Sequence, residues 1–195
     1  MRATLPRSIT LALLLAATAG LAAHAAQPLP KPEVPIAAEK NPPGDIPDNQ
    51  AFVTYRSPLG FHLSVPEGWA RRDATDGVEF SDKYNRVQVQ LRAQATAPTI
   101  ESVRADLAAT LEREGRAVRI VRVGAVTLNR TQVIEVRYGS NSDPNPVTNK
   151  AIRLDNARYY FWSGHGKLAL LTLATPAGAD NADQWQLIAK SFGWQ

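Results

Sequence analysis

The chain has 195 residues, 22 Lys and Arg against 18 Asp and Glu, and no cysteine. The missing thiol excludes disulfide frameworks, thiolate catalysis, Cys-ligated zinc and a lipidated-cysteine anchor together. Setting aside Arg2 and Arg7, both in the leader described next, lowers the formal charge from +4 to +2, which gives nucleic-acid binding no support without a concentrated basic motif.

Arg2 and Arg7 form a short positive region ahead of the apolar run Ile9 to Ala23. Ala23-His24-Ala25 places small residues where a signal peptidase reads them, so residues 1–25 are expected to be a signal peptide cut after Ala25. A membrane span needs ~20 apolar residues and this run is shorter. The expected destination is periplasmic or secreted, with no integral span left after cleavage. From Gln27 to Gln50 the chain holds seven of its 14 prolines. Each fixes φ and removes a donor, so residues 26–50 are expected to be a disordered, Pro-rich linker with polyproline character.

Residues 51–195 are then one domain, long enough to bury a core without staples. Ala51 to Arg56 reads as a short strand, turned by Ser57-Pro58-Leu59-Gly60. Phe61, Leu63 and Val65 alternate with His62 and Ser64, a strand with one apolar face. Val78 and Phe80 suggest another strand. Val87, Val89 and Leu91 then alternate with Gln88, Gln90 and Arg92. After Pro98 the period changes: Ile100, Val103, Leu107 and Leu111 make a helical stripe, with Thr99 as N-cap and Gly115 as stop. Val118 to Leu128 is strand-like but slips at Ile120-Val121 and near Gly124, the mark of a bulge or bend. Gln132 to Tyr138 resumes a strand. Gly139 to Lys150 reads as a long polar loop, of the length that is often functional.

Ile152 to Leu154 begins a strand, and Asp155-Asn156 is expected to turn the chain into Tyr159-Tyr160-Phe161-Trp162. Gly164 and Gly166 supply a hairpin turn, Leu168 to Leu173 the return strand. Trp185, Ile188 and Phe192 form the stripe of a closing helix. About eight strands joined by short turns, with two helices, give an α+β fold: an antiparallel sheet with helices packed on it.

Three pieces in this order resemble the PsbP-like family: Gly60 to Trp69 (GFHLSVPEGW), Val78 to Asp82 (VEFSD), and the Tyr159 to Phe192 hairpin and helix. The Mog family of Ran-interacting proteins shares that fold. The resemblance covers the whole domain and implies a central antiparallel sheet of about six to eight strands sandwiched between helices. It also implies a protein that binds and stabilises larger assemblies, with no shared catalytic residues and no cofactor.

Candidate chemistry is sparse. A Ser-His-Asp triad needs a nucleophile and base in reach, yet only His62 and His165 remain beyond the leader, and Ser163-Gly164-His165-Gly166 reads as a turn. Asn141, Asp143 and Asn145 alternate like calcium ligands but carry one charge, no closing glutamate and two interrupting prolines. No catalytic or metal site is assigned. Recognition is the better reading: Tyr160 and Trp162 beside Arg158 have hot-spot composition if they face outward, and the alternative is that a helix covers them. Arg158, Tyr160, Trp162, Asn141, Asp143 and Asn145 are therefore the candidate partner-binding residues. The expected function is an exported, non-catalytic accessory domain that binds an envelope protein. A periplasmic carrier of a small, lipid-like ligand is the alternative, and a hydrolase ranks third.

Overall fold

The computed structural model describes residues 33–40 and 42–195. The expected signal peptide, and the first residues of the expected linker, lie outside the described residues. Among the described residues ten strands pair antiparallel in two sheets. A small sheet has the order β1 (Phe52–Ser57), β2 (Phe61–Pro66) and β10 (Gly193–Trp194). The large sheet runs β3 (Ala70–Ala74), β4 (Gly77–Asp82), β5 (Asn85–Ala93), β9 (Lys167–Pro176), β8 (Arg153–Trp162), β7 (Thr131–Asn141), β6 (Arg119–Leu128).

Side-chain alternation along the strands decides which layer each residue joins. On one face Val87 and Val89, Leu171 and Leu173, Tyr159 and Phe161 meet Phe61, Leu63 and Val65 of β2. Helix α3 (Ala182–Ser191) closes this layer with Trp185 and Ile188, the stripe expected from sequence. Phe192, just past the helix, stacks on Phe161 with ring centroids 4.3 Å apart. On the other face Val136, Tyr138, Tyr160, Leu168 and Leu170 form a second layer with Val103 and Val118. Strand β9 lies between β5 and β8 with both faces covered, which is why Leu168 to Leu173 is almost continuously apolar. Removing one such side chain from water contributes about 1.5–3 kcal/mol.

The second layer is covered by α1 (Ile100–Ser102), a π-helical stretch (Val103–Ala108) and α2 (Ala109–Glu114). Thr99 caps α1 in a box with Ser102: the Ser102 N–H donates to the threonine hydroxyl at 3.2 Å, and the Thr99 N–H donates to Ser102 Oγ at 2.9 Å. The Gly115 N–H donates to the Leu111 carbonyl at 2.9 Å where the helix stops. The β6 irregularity is a register shift between Ile120 and Arg122. Gly164 and Gly166 take φ of 79° and 78° in the β8–β9 turn, a region that other residues enter at a cost.

Three sequence readings are corrected. Asp155-Asn156 makes no turn: β8 is continuous from Arg153, and its polar stretch is tolerated because Asn156 Nδ2 donates to Ser140 Oγ at 2.9 Å. The Gly139 to Lys150 loop is shorter than expected, since Gly139, Ser140 and Asn141 complete β7 opposite Asp155, Leu154 and Arg153. Strands β3 and β10 are additional. Every residue of β3 is exposed and β10 has two residues, so neither leaves an apolar alternation to read.

The expected linker, residues 26–50, is described at 33–40 and 42–50. Its described part lies along the domain, held by side-chain amides. Asn181 Oδ1 accepts from the Ile46 N–H at 2.6 Å, and its Nδ2 donates to the Gly44 carbonyl at 2.9 Å and Thr175 Oγ1 at 2.7 Å. Ile46 is itself buried. Prolines remove backbone donors, so the body supplies the partners that a helix or strand would otherwise provide.

Candidate functional site

The register of β5, β9 and β8 fixes what stands side by side on the α1–α2 face. Four rows cross the sheet: Arg86, Ala174, Asn156; then Gln88, Thr172, Arg158; then Gln90, Leu170, Tyr160; then Arg92, Leu168, Trp162. Neighbouring strands lie ~4.8 Å apart, so the short, buried β9 side chains Ala174 and Thr172 stand between the longer polar ones of β5 and β8. The α1–α2 segment packs over Tyr160, Val136 and Ile134. Beside it, a groove of about 490 Å³ is lined by Lys83, Arg86, Arg116 and Arg158, against the carboxylates of Glu79 and Asp143.

The basic residues are individually placed. Arg158 Nε donates to Thr172 Oγ1 at 2.9 Å, and its guanidinium carbon lies 6.0 Å from the Tyr138 ring centroid, within cation–π range. Arg86 reaches Glu79 at only 3.9 Å, and its Nε is buried without a hydrogen-bond partner. Arg116 pairs with Glu33 at 2.8 Å at the groove's rim. The wall contributes Asn156, whose Oδ1 is buried and unpaired while its Nδ2 is fully engaged.

The structure brings four of the six sequence candidates to this one groove: Arg158, Asn141, Asp143 and Asn145 all line it. Asn141 is only 4 % exposed. Its Nδ2 donates to Glu33 Oε1 and the Val34 carbonyl, both at 2.9 Å, and its Oδ1 accepts from Ile36 N–H at 3.0 Å and Arg153 Nη1 at 3.2 Å. It is a clamp for the Pro-rich segment. Asn145 Oδ1 accepts from the Val147 and Thr148 N–H groups at 2.9 and 3.0 Å, an Asx turn. The calcium-like alternation is thus used for local structure, which leaves Asp143 as the exposed group of the three.

The exposed aromatic pair is corrected. Tyr160 is 2 % exposed, packed in the second layer, and Trp162 is half-buried with Nε1 donating to the Gln94 carbonyl at 3.1 Å. A covering helix, the alternative weighed from sequence, accounts for both. The groove's basic residues Lys83, Arg86 and Arg116 escaped sequence reading because they come from separate segments. Only the β5–β9–β8 register unites Arg86 with Arg158. Strict alternation of polar residues along β5 was the one available signal.

Burial raises the pKa of Tyr159 and Tyr160, with nearby Arg137 and Arg158 respectively opposing it, so both phenols are neutral at neutral pH. His62 lies on β2 in the small sheet, so close to Gly193 that a Cβ there would fall 2.6 Å from the imidazole. His165 is exposed in the β8–β9 turn, where Ser163 Oγ accepts from the His165 and Lys167 N–H groups at 3.1 Å. That hydroxyl organises the turn. Among the described residues no three His, Asp or Glu side chains converge to hold a metal, and no helix is long and apolar enough to cross a membrane.

A second concavity of about 420 Å³ opens near the far end of β8, with Phe161, Trp162, Phe192 and Trp194 in its wall beside Lys190. Trp194 Nε1 is buried there without a partner.

No protein-family model matches the chain, and no curated protein matches it. Among solved structures, cyanobacterial PsbP (CyanoP) from Synechocystis sp. PCC 6803 superposes with a TM-score of 0.55 at 16% identity, covering 80% of this chain and 100% of that one. A Bacteroides thetaiotaomicron VPI-5482 structure has a TM-score of 0.48 at 10% identity, over 73% of this chain and 48% of its own. A Pseudomonas aeruginosa protein of unknown function has a TM-score of 0.43 at 13% identity, covering 72% and 94%. The antiparallel sheet with helices on its faces, together with the CyanoP superposition across that protein's whole length, establishes that this chain has a PsbP-like α+β fold.

Proposed function

We propose that the chain is an exported, non-catalytic accessory domain that binds an acidic segment of another envelope protein along the α1–α2 face. The observation that carries this reading is the groove's charge: four cationic side chains against the carboxylates of Glu79 and Asp143 in its lining and Glu33 at its rim. Such a surface favours an acidic partner, steers its approach and disfavours basic ones. Export rests on the leader sequence of residues 1–25, and the PsbP-like fold suits a protein that assists a larger assembly.

Crosslinking in intact cells tests it, comparing the natural protein with a Lys83→Glu/Arg86→Glu variant. The expected result is a discrete protein crosslink that the variant loses while its fold and export persist. Equal capture by both forms would remove the groove from the interaction.

A second reading is a carrier of a small apolar ligand, favoured by the aromatic concavity around Phe192 and Trp194. Native mass spectrometry of protein purified from its own compartment is then expected to show a bound non-protein mass. Protein that is consistently empty would retire this reading.

A further inference from the structure

A cavity of about 300 Å³ adjoins the groove under α2, sharing Arg158 with it and bounded also by Gln90 and Arg92 of β5, Tyr160 of β8 and Thr110 of α2. Its size is at the lower end of the ~300–1,000 Å³ range of small-ligand sites. All five of these side chains offer hydrogen-bond donors, and no carboxylate is among the described lining residues. The Tyr160 hydroxyl is buried beside the Arg158 guanidinium, with no acceptor for its own proton, although buried hydroxyls are normally paired. Arg158 and Arg92 lie near enough to favour the phenolate, yet burial outweighs them and keeps the phenol protonated, a donor. Arg158 is anchored through Nε to Thr172 Oγ1, and its guanidinium also lies within hydrogen-bonding reach of the Tyr160 hydroxyl. Neither Arg92 nor Arg158 has an ion-pair partner among the described residues.

We infer that this cavity binds a phosphate or sulfate group. Two guanidiniums come from strands separated by β9, and Thr110 comes from the helix above, so the donors do not share one plane. A carboxylate satisfies one planar guanidinium fork, whereas donors converging from several sides match oxygens arranged on a tetrahedron. Binding would give the Tyr160 hydroxyl the acceptor it lacks. The inference needs no second protein, so it stands or falls separately from the partner-binding reading.

Titration calorimetry on the isolated, exported form of the protein tests it, in a chloride buffer of constant ionic strength. The probes are inorganic phosphate, sulfate, glycerol 3-phosphate and acetate. Wild-type protein is expected to bind the tetrahedral anions more tightly than acetate. Tyr160→Phe removes only the hydroxyl and is expected to weaken binding about tenfold, as for a hydrogen bond to a charged group. Its unfolding midpoint without anion is expected to stay unchanged, which a purely structural role would not allow. Arg92→Gln, at an exposed position, gives a second variant with a comparable loss and little risk to folding. Tighter glycerol 3-phosphate would assign the site to an organophosphate, and tighter phosphate or sulfate to the free anion. No binding by wild-type protein at millimolar anion, acetate binding equal to phosphate, or full affinity in Tyr160→Phe would each overturn the inference.

Discussion

The two faces of the large sheet are built from the same strands and serve different ends. On the α3 face the central rows are apolar, from Val89 and Leu171 to Tyr159, ending at β7 in the Glu135–Arg137 ion pair, and α3 with β2 closes over them. On the α1–α2 face the rows start apolar at β7 and become polar toward β5, where Gln88, Gln90 and Arg86 are only half-buried. Alternation alone lets one strand supply both: Tyr159 and Phe161 go to the closed layer while Arg158 and Tyr160 go to the other. Stability is concentrated on one face, which leaves the other free to carry side chains that a core would reject.

Mutations on each face sharpen that contrast. Leu171 is fully buried on the α3 face, so Leu171→Ala is expected to lower unfolding free energy by about 2–5 kcal/mol, read from denaturant midpoints. A loss below ~1 kcal/mol would mean the closed layer is less well packed than its geometry implies. Asn181→Ala removes three hydrogen bonds to the 44–46 segment and Thr175. It should cost about 1–3 kcal/mol, and limited proteolysis should then cut within residues 42–50 first.

The smallest effect is expected on the open face. Tyr160→Phe deletes a hydroxyl whose proton has no acceptor, so its unfolding midpoint at neutral pH should stay unchanged. Alkaline pH separates it from wild type. The folded-state pKa of Tyr160 is raised by burial above its ordinary value of 10.0. The neutral phenol's contribution is therefore intact below that value and lost as pH rises through the folded-state pKa. Circular dichroism against pH is expected to show the Phe variant outlasting the wild type, and coincident curves would argue that the phenol is solvated.

The closed face was legible in the sequence because its logic is local: period-two runs such as Val87-Val89-Leu91 and the Trp185-Ile188 stripe report burial directly. The α1–α2 face was legible only as scattered residues. Arg158 was singled out, but its relation to Arg86 depends on the pairing of β5 with β9, over which local pattern has no hold. Tyr160 was read ambiguously because a strand covered on both faces has the same aromatic run as one exposed on a single face. The path of the described proline-rich residues is not legible, since their anchors, Asn141 and Asn181, are distant in sequence and look like ordinary turn residues.

One consequence follows from β9's place between β5 and β8. Two meanders, β3–β4–β5 and β6–β7–β8–β9, are each made of near neighbours in the chain and meet only where β5 pairs with β9. Closing contacts so far apart in sequence carries the larger entropic cost. A molecule with both halves formed but unjoined would hold Arg86 and Arg92 apart from Arg158 and Tyr160. The proposed binding at this surface would then itself report that the seam has shut, and an incompletely folded copy would lack it.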